Sequence, residues 1–536
     1  MCWVKMAVPC TVAVAVDVVG PATWIGYLAL CLGMFMAILD VQIVASSLPD
    51  IQFALHIATN HLSWIQTAYL IAEVVAIPLT GWLTRLMSLR GLFVAAITGF
   101  SASSVGCAVS HQLETLVLFR IIQGFCGGAL IPIVFTSVFT MFPERKHVLA
   151  TTIGGLFAML APTIGPVLGG YITENYSWHW LFLINVVPGV AAAVVAACLI
   201  RIGKRDWTLL ARLDLPALML IVACLASLEL VLKQGPRHIW NHGLIVSLVV
   251  LCPIAGVFAI RRCLSSPEPM IDVRCFADRN FSIGCFYSFV LGMGLFGSVY
   301  ITPLYLGFVR QHTPFEIGKI MIVMGAAQLA TAPFAAMAAR RFNPLLLTAI
   351  GYGVFAAGLV SDGFMTYDTD FDELLWPQIL RGTAVLFCLL PTTRVALEGQ
   401  PMARMPNASG LFNLMRNLGG AIGIALIDTV VEQRAPTHVA HLVARLQAGD
   451  IGAARIVGIP LSLFQNALLG PIDQASKEMV RPLIDRAALV LSFNDAWLML
   501  GTIFVLALMV VPLMRQLPMA ANCAAPGESL RFRQED

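Results

Sequence analysis

GLFAMLAPTIGPVLG (155–169) returns in outline as GLFNLMRNLGGAIGI (410–424). Both open on Gly-Leu-Phe, and both place a glycine ten residues on, Gly165 and Gly420. Two fainter echoes accompany it. RIIQGFCGGALIP (120–132) pairs with RGTAVLFCLLP (381–391), and PLTGWLTRLMSLR (78–90) pairs with PFAAMAARRF (333–342). Repetition in the same order, within apolar runs, points to a chain built as two parallel halves of one helical plan.

The rest of the chain says what kind of helices these are. Of 536 residues, 58% are hydrophobic and only 12% are charged, and the mean hydropathy is +0.83. A soluble domain carries roughly 25% charged residues, so this chain cannot cover itself with a water-compatible surface. It reads as an all-α, polytopic membrane protein. Crossing the hydrocarbon takes about twenty apolar residues, and counting such runs yields about fourteen spans, centred from 22–44 through 495–517. The runs are long and continuous, unlike the short alternating segments of membrane strands. The echoes join span 4 to span 12 and span 5 to span 13. The offset is eight where two six-helix halves would give six, so two further spans lie between the halves. The expected organisation is an extension (1–21), a six-helix bundle (22–200), two inserted spans (201–262), a second six-helix bundle (263–517) and a tail (518–536). The second bundle includes a long segment, 430–494, read as an amphipathic helical excursion outside the membrane.

Net charge is +3, and no basic patch is interleaved with aromatics, which speaks against nucleic acid. The thirteen cysteines are scattered and form no CxxC, so they read as small core residues. No P-loop, HExxH or GxSxG motif suggests an enzyme. With both termini placed in the cytoplasm, the inner turns hold Arg85, Arg90, Arg145, Lys146, Arg340 and Arg341, among others, while the short outer loops hold Lys233, Arg237 and Arg310. The bias is roughly five to one and sets the orientation.

Polar residues inside spans are then the informative ones, because a carboxylate at a span centre costs roughly 2.5–3.5 kcal/mol on insertion scales. Asp40 closes the otherwise apolar first span, Glu73 is central in the second, and Arg120 lies in the fourth. A carboxyl held in oil can load a proton on one side and release it on the other; the bland alternative puts Asp40 in water at the rim. Arg120 keeps its charge and must meet a carboxylate, a carbonyl or water. Pro162, Gly165, Pro166, Gly169 and Gly170 crowd one span, giving a kinked helix with a smooth face on which two bundles could rock, or simply tight packing. Gln66, Tyr69, Gln123, Asn413, Arg416 and Asn417 are candidate cavity residues.

Five of these stretches resemble motifs of the 14-helix drug:proton antiporters, the EmrB/QacA-like branch of the major facilitator superfamily. LDVQIVASSLP (39–49) resembles its first-helix motif LDxTIVNVALP. GWLTRLMSLR (81–90) resembles the loop motif G-x-L-A-D-R-x-G-R-R, so Gly81, Arg85 and Arg90 fall on it, with Arg85 in place of Asp and Ser88-Leu89 in place of Gly-Arg. RIIQGFCGG resembles R-x-x-Q-G-x-G-A/G, APTIGPVLGG resembles G-x-x-x-G-P-x-x-G-G, and WHWLFLINVVPG (178–189) resembles W-R-W-I-F-x-I-N-x-P-x-G. The resemblance implies the major facilitator fold, with two six-helix bundles plus two extra helices between them. It implies that Asp40 and Arg120 serve proton coupling, that the fifth-span motif marks an exporter, and that a central cavity lies between the bundles.

The expected function is a proton-coupled exporter of small amphipathic compounds in an inner membrane. It would run on the proton gradient without a cofactor, with lipid, protons and substrate as partners. Residues 430–494 would suit a periplasmic adaptor protein. A proton-coupled importer of a metabolite or siderophore on the same fold, or a membrane sensor that no longer transports, are the alternatives.

Overall fold

The computed structural model describes residues 19–46, 48–55, 64–202, 205–211, 214–235, 243–266, 269–402, 404–459 and 474–513. Most of the expected N-terminal extension, and the whole of the tail at 518–536, lie outside them. Thirteen helices among the described residues are long and apolar enough to cross a membrane, and a bent one brings the number to fourteen.

In chain order they are α1 (Pro21–Ser46), α2 (Trp64–Met87), α3 (Leu89–Ala108), α4 (Leu113–Met141) and α5 (Glu144–Asn175). Next come α6, in two pieces (Trp180–Leu183 and Val186–Leu199), α7 (Leu215–Gln234) and α8 (Gly243–Ser265). The second half holds α9 (Arg279–Phe308), α10 (Pro314–Arg341), α11 (Pro344–Ser361), α12 (Phe371–Leu397), α13 (Met405–Gln447) and α14 (Gln474–Leu508).

The echo in sequence is an echo in packing. In the first bundle α1 lies on α5, α2 on α4, and α3 on both α4 and α6. In the second, α9 lies on α13, α10 on α12, and α11 on both α12 and α14, which are the same pairs shifted by eight helices. Small residues permit the close crossings. A Cβ added at Gly124 of α4 would fall 2.2 Å from the Tyr69 carbonyl oxygen of α2, and one at Gly128 would fall 2.5 Å from that of Glu73. Without a hydrophobic drive between helices in lipid, such backbone approach is the main source of cohesion.

The bundles meet across two related seams, α5 on α10 and α2 on α13. In α5, helix Glu144–Pro162 and helix Val167–Asn175 are inclined by 45°. The bend falls on the proline-glycine run, where ring and missing N–H interrupt the ladder. Val167 packs on Gly318 of α10, across the bundle boundary, and Gly165 admits Gln42 of α1 within its own bundle. The Pro166 side chain lies outside the described ones.

Helix α7 packs on α8 and also on α2 and α13, along their seam, whereas only 17% of α8 is buried. The excursion at 430–494 is helical among the described residues. It is the continuation of α13 and α14 themselves, with a short helix, Ile451–Val457, against them. At 1.5 Å per residue the 43 residues of α13 run about 65 Å, twice the hydrocarbon thickness. A small apolar core of Leu442, Leu446, Ala454, Val457, Ile484 and Ala488 holds this hairpin together. Asp495 ties it at the base, accepting from Arg434 and bonding His438, each at 2.8 Å. Residues 460–473 of the segment lie outside the described ones.

The turn between α2 and α3 carries a local strain. Ser88 has φ 69° and ψ 160°, a region that only glycine enters freely. This is the position where the motif it resembles has glycine. Ser88 partly compensates by accepting from the Gly91 N–H as the N-cap of α3. Replacing a serine cap by glycine costs only a few tenths of a kcal/mol, while the backbone strain is of order 1–3 kcal/mol. Ser88→Gly is therefore expected to raise the thermal unfolding midpoint of the detergent-purified protein, by about 1 kcal/mol in stability; a lowered midpoint would contradict the strain.

Candidate functional site

Asp40 sits in α1 with none of its surface exposed, so the rim-water alternative does not describe this structure. Its partner is Arg120 of α4, also fully buried, whose Nη1 donates to Asp40 Oδ2. The other carboxylate oxygen accepts from Gln123 Nε2 at 3.1 Å and from Asn185 Nδ2 at 2.8 Å. Arg120 also donates through Nε to the Ile65 carbonyl of α2 at 3.1 Å, and its guanidinium lies 4.3 Å from the Tyr69 ring centroid. Gln123 reaches on to Ser104 of α3 at 2.8 Å.

Five helices of the first bundle thus converge on one ion pair. Asn185 can reach it because α6 breaks there, between its two pieces. A buried pair is retained only when its remaining hydrogen-bonding capacity is met, and here most of it is. Arg120 Nη2 remains buried without a hydrogen bond.

Beside this pair a cavity of about 470 Å³ opens between the bundles. Its walls are Gln42 of α1, Gln66 and Glu73 of α2, Pro162 of α5, Phe296 and Tyr300 of α9, and Arg416, Asn417 and Asp428 of α13. The rest of the wall is largely aliphatic. This size and lining suit a drug-sized amphipath. Of the residues expected in the cavity from sequence, Gln66, Arg416 and Asn417 line it. Tyr69, Gln123 and Asn413 stand behind the wall: Tyr69 donates to the Ala37 carbonyl, Gln123 serves Asp40, and Asn413 accepts from Arg416.

Sequence reasoning missed Asn185, a lone polar residue in LFLINVV, and it missed a contribution from the inserted pair. Glu229 and Lys233 of α7 also line the cavity. Lys233, counted by sequence among the outer-loop charges, lies in the last turn of α7.

The cavity occupies only one half of the molecule. On α2 it spans Gln66 to Val74, and on α9 Leu295 to Leu304, both away from the end that carries the Ser88 turn. At that arginine-rich end the bundles are sealed. A Cβ on Gly81 would fall 2.1 Å from Asn407 Oδ1 of α13. Ser409 donates to the Pro132 carbonyl at 3.0 Å, and Arg85 Nη2 donates to that of Pro269 at 3.1 Å. At the same end, within the second half, Arg404 pairs with Asp272 at 3.2 Å. Gly81 and Arg85 of the loop motif thus belong to the seal. Arg90 is half-buried beside them.

The second bundle holds its own buried pair. Arg381 of α12, which the sequence echo aligns with Arg120, meets Asp362 at 2.9 Å, and its guanidinium lies 4.7 Å from the Trp497 ring. Asp362, at the start of the acidic stretch DGFMTYDTDFDE (362–373), is 1% exposed.

Two pseudo-equivalent bundles around one cavity, set toward one end and sealed off from the other, define a membrane transporter fold. Residues 30–424 match the family model of the Major Facilitator Superfamily, and the chain belongs to that superfamily. Its similarity to the colistin resistance protein EmrB of Acinetobacter baumannii is 37% identity, covering 78% of this chain and 82% of that one. To the multidrug export protein EmrB of Escherichia coli K12 it is 30%, over 90% of this chain and 94% of that one. Among solved structures, the human organic anion transporter MFSD10 (TETRAN) superposes with a TM-score of 0.56 at 13% identity, over 90% of this chain and 100% of that one. That likeness concerns the fold.

Proposed function

We propose that the chain is a proton-coupled exporter of small amphipathic compounds, of the multidrug-efflux kind for which its EmrB relatives are named. The observation that carries this is the buried Asp40–Arg120 pair, which ties five helices together beside a cavity sealed at its arginine-rich end. The excess of basic residues puts that sealed end in the cytoplasm and both termini with it, in an inner membrane. The cavity then lies on the outer side of that seal.

A proton arriving at Asp40 removes its charge and loosens its hold on Arg120, which frees α1, α4 and α6 to repack. Glu73, on the cavity wall, is a second protonatable group. Closure runs along the α5–α10 face, and the seal built on Gly81, Asn407 and Ser409 opens. Substrate taken up from the cytoplasmic side must favour the state that the proton disfavours, or no pumping results. The α13–α14 hairpin stands out on the far side, where it suits a periplasmic adaptor protein.

In everted vesicles acidified inside by respiration, adding ethidium should release internal protons and restore the fluorescence of a pH-gradient dye. Dye uptake accompanied by protons moving the same way would favour an importer, and no substrate-linked proton movement would favour a sensor.

A further inference from the structure

We propose that His147, at the basic end of the α5–α10 seam, is an acid-sensitive latch: neutral, it holds the two bundles together there, and protonated, it parts them. The seal built on Gly81, Asn407 and Ser409 lies on the α2–α13 side. Its counterpart lies on the other side, where α4 and the start of α5 meet the second bundle. There His147 shares a small pocket with Phe139 of α4, Ala339 of α10, Leu347 of α11, and Pro391, Arg394 and Glu398 of α12. The Phe139 ring stands edge-on to the imidazole, 4.9 Å between centroids. Two turns along α5, a Cβ on Gly155 would fall 2.8 Å from Leu389 of α12, so the two bundles touch closely.

His147 Nε2 lies 3.0 Å from the Phe142 carbonyl oxygen, which can only accept, so Nε2 carries the hydrogen. Nδ1 is buried and has no hydrogen-bond partner. The sealed state therefore suits a neutral ring. A proton on Nδ1 would set a charged N–H against apolar side chains with nothing to receive it. The carboxylate that lines the pocket, Glu398, is already held through both oxygens by Arg394 Nε, at 2.9 and 2.8 Å. The charged groups around the ring are Glu144, Arg145 and Lys146 on α5, Arg340 and Arg341 on α10, and Arg394 and Glu398 on α12; α4 and α11 bring none to the pocket. Glu144 and Arg145 are exposed in the same turn as His147, so protons reach it from the basic end. Imidazole changes charge between pH 5 and 8. The parted state binds one proton more than the sealed one. The latch is thus firm at alkaline pH and weakens as that side acidifies, by up to about tenfold per pH unit.

That this side is the cytoplasm rests on the orientation proposed above, but the latch does not, so the test reads the seam directly. Hydroxyl-radical footprinting of the purified full chain should label Phe139, Leu347 and Leu390 about fivefold faster at pH 6 than at pH 8. The same response should persist in Asp40→Asn, where the coupling carboxyl cannot contribute. Adding His147→Gln to that variant should abolish it: glutamine keeps a donor for the Phe142 carbonyl and takes no charge, so labelling stays low at both pH values. A response missing from Asp40→Asn, or surviving in the double variant, overturns the latch. Substrate-linked proton exchange in vesicles, with no pH response at the seam, removes the latch and leaves the exporter reading standing. A seam that responds, in a protein that exchanges no protons for substrate, does the reverse.

Discussion

Asp40→Asn, reconstituted in proteoliposomes with an imposed pH gradient, should lose uphill efflux altogether while still letting substrate equilibrate. One proton exchanged per substrate over one pH unit supports about a tenfold concentration ratio, and without the carboxyl that ratio falls to one. The geometry explains why the loss should be selective. Asparagine keeps an oxygen for Arg120, and Arg120 keeps the Ile65 carbonyl, Gln123 and the Tyr69 ring. The fold therefore survives, at a cost below the ~3–5 kcal/mol of an abandoned buried charge. A variant that still builds a gradient would place coupling elsewhere, with Glu73 first in line.

Arg381→Ala is expected to have the largest structural effect. It leaves Asp362 buried, with no opposite charge, at the junction of α11, α12 and α14. Breaking a buried pair on one side costs about 3–5 kcal/mol. Much of the protein should fail to reach the membrane, and what does should unfold at markedly lower temperature. Asp362→Asn combined with Arg381→Gln removes both charges and should recover most of that loss. If the double variant is as unstable as the single one, the ion pair is not the cause.

The difference between these two pairs shows what sequence can carry. Asp40 and Arg120 stand out because each interrupts a long apolar run and sits in a recognisable motif. Hydropathy also shows the spans, which depend only on neighbours along the chain, and the internal echoes give their offset of eight. The EmrB-like branch, read from five motifs, agrees with the relatives found. Asp362 and Arg381 were visible as residues but not as partners, because one follows α11 and looks like loop acid. Glu229 was hidden for a similar reason: polarity along α7 does not say which side of that helix meets the cavity. Asn185 reaches Asp40 only through the break in α6, and four apolar neighbours on either side disguise it. Composition separates lipid from water, but tertiary partners are set by non-local packing.

Helix α13 carries one more implication. A single continuous helix, with Pro436 inside it, holds the seal at Asn407 and Ser409, the cavity wall at Arg416, and the crown of the hairpin at Gln447. Pivoting such a rod by 5° about its gated end sweeps the far tip through about 6 Å. The tip is thus a lever arm: each turnover becomes a stroke that a docked object would feel, and gripping the crown would stall the gate at the opposite face of the membrane.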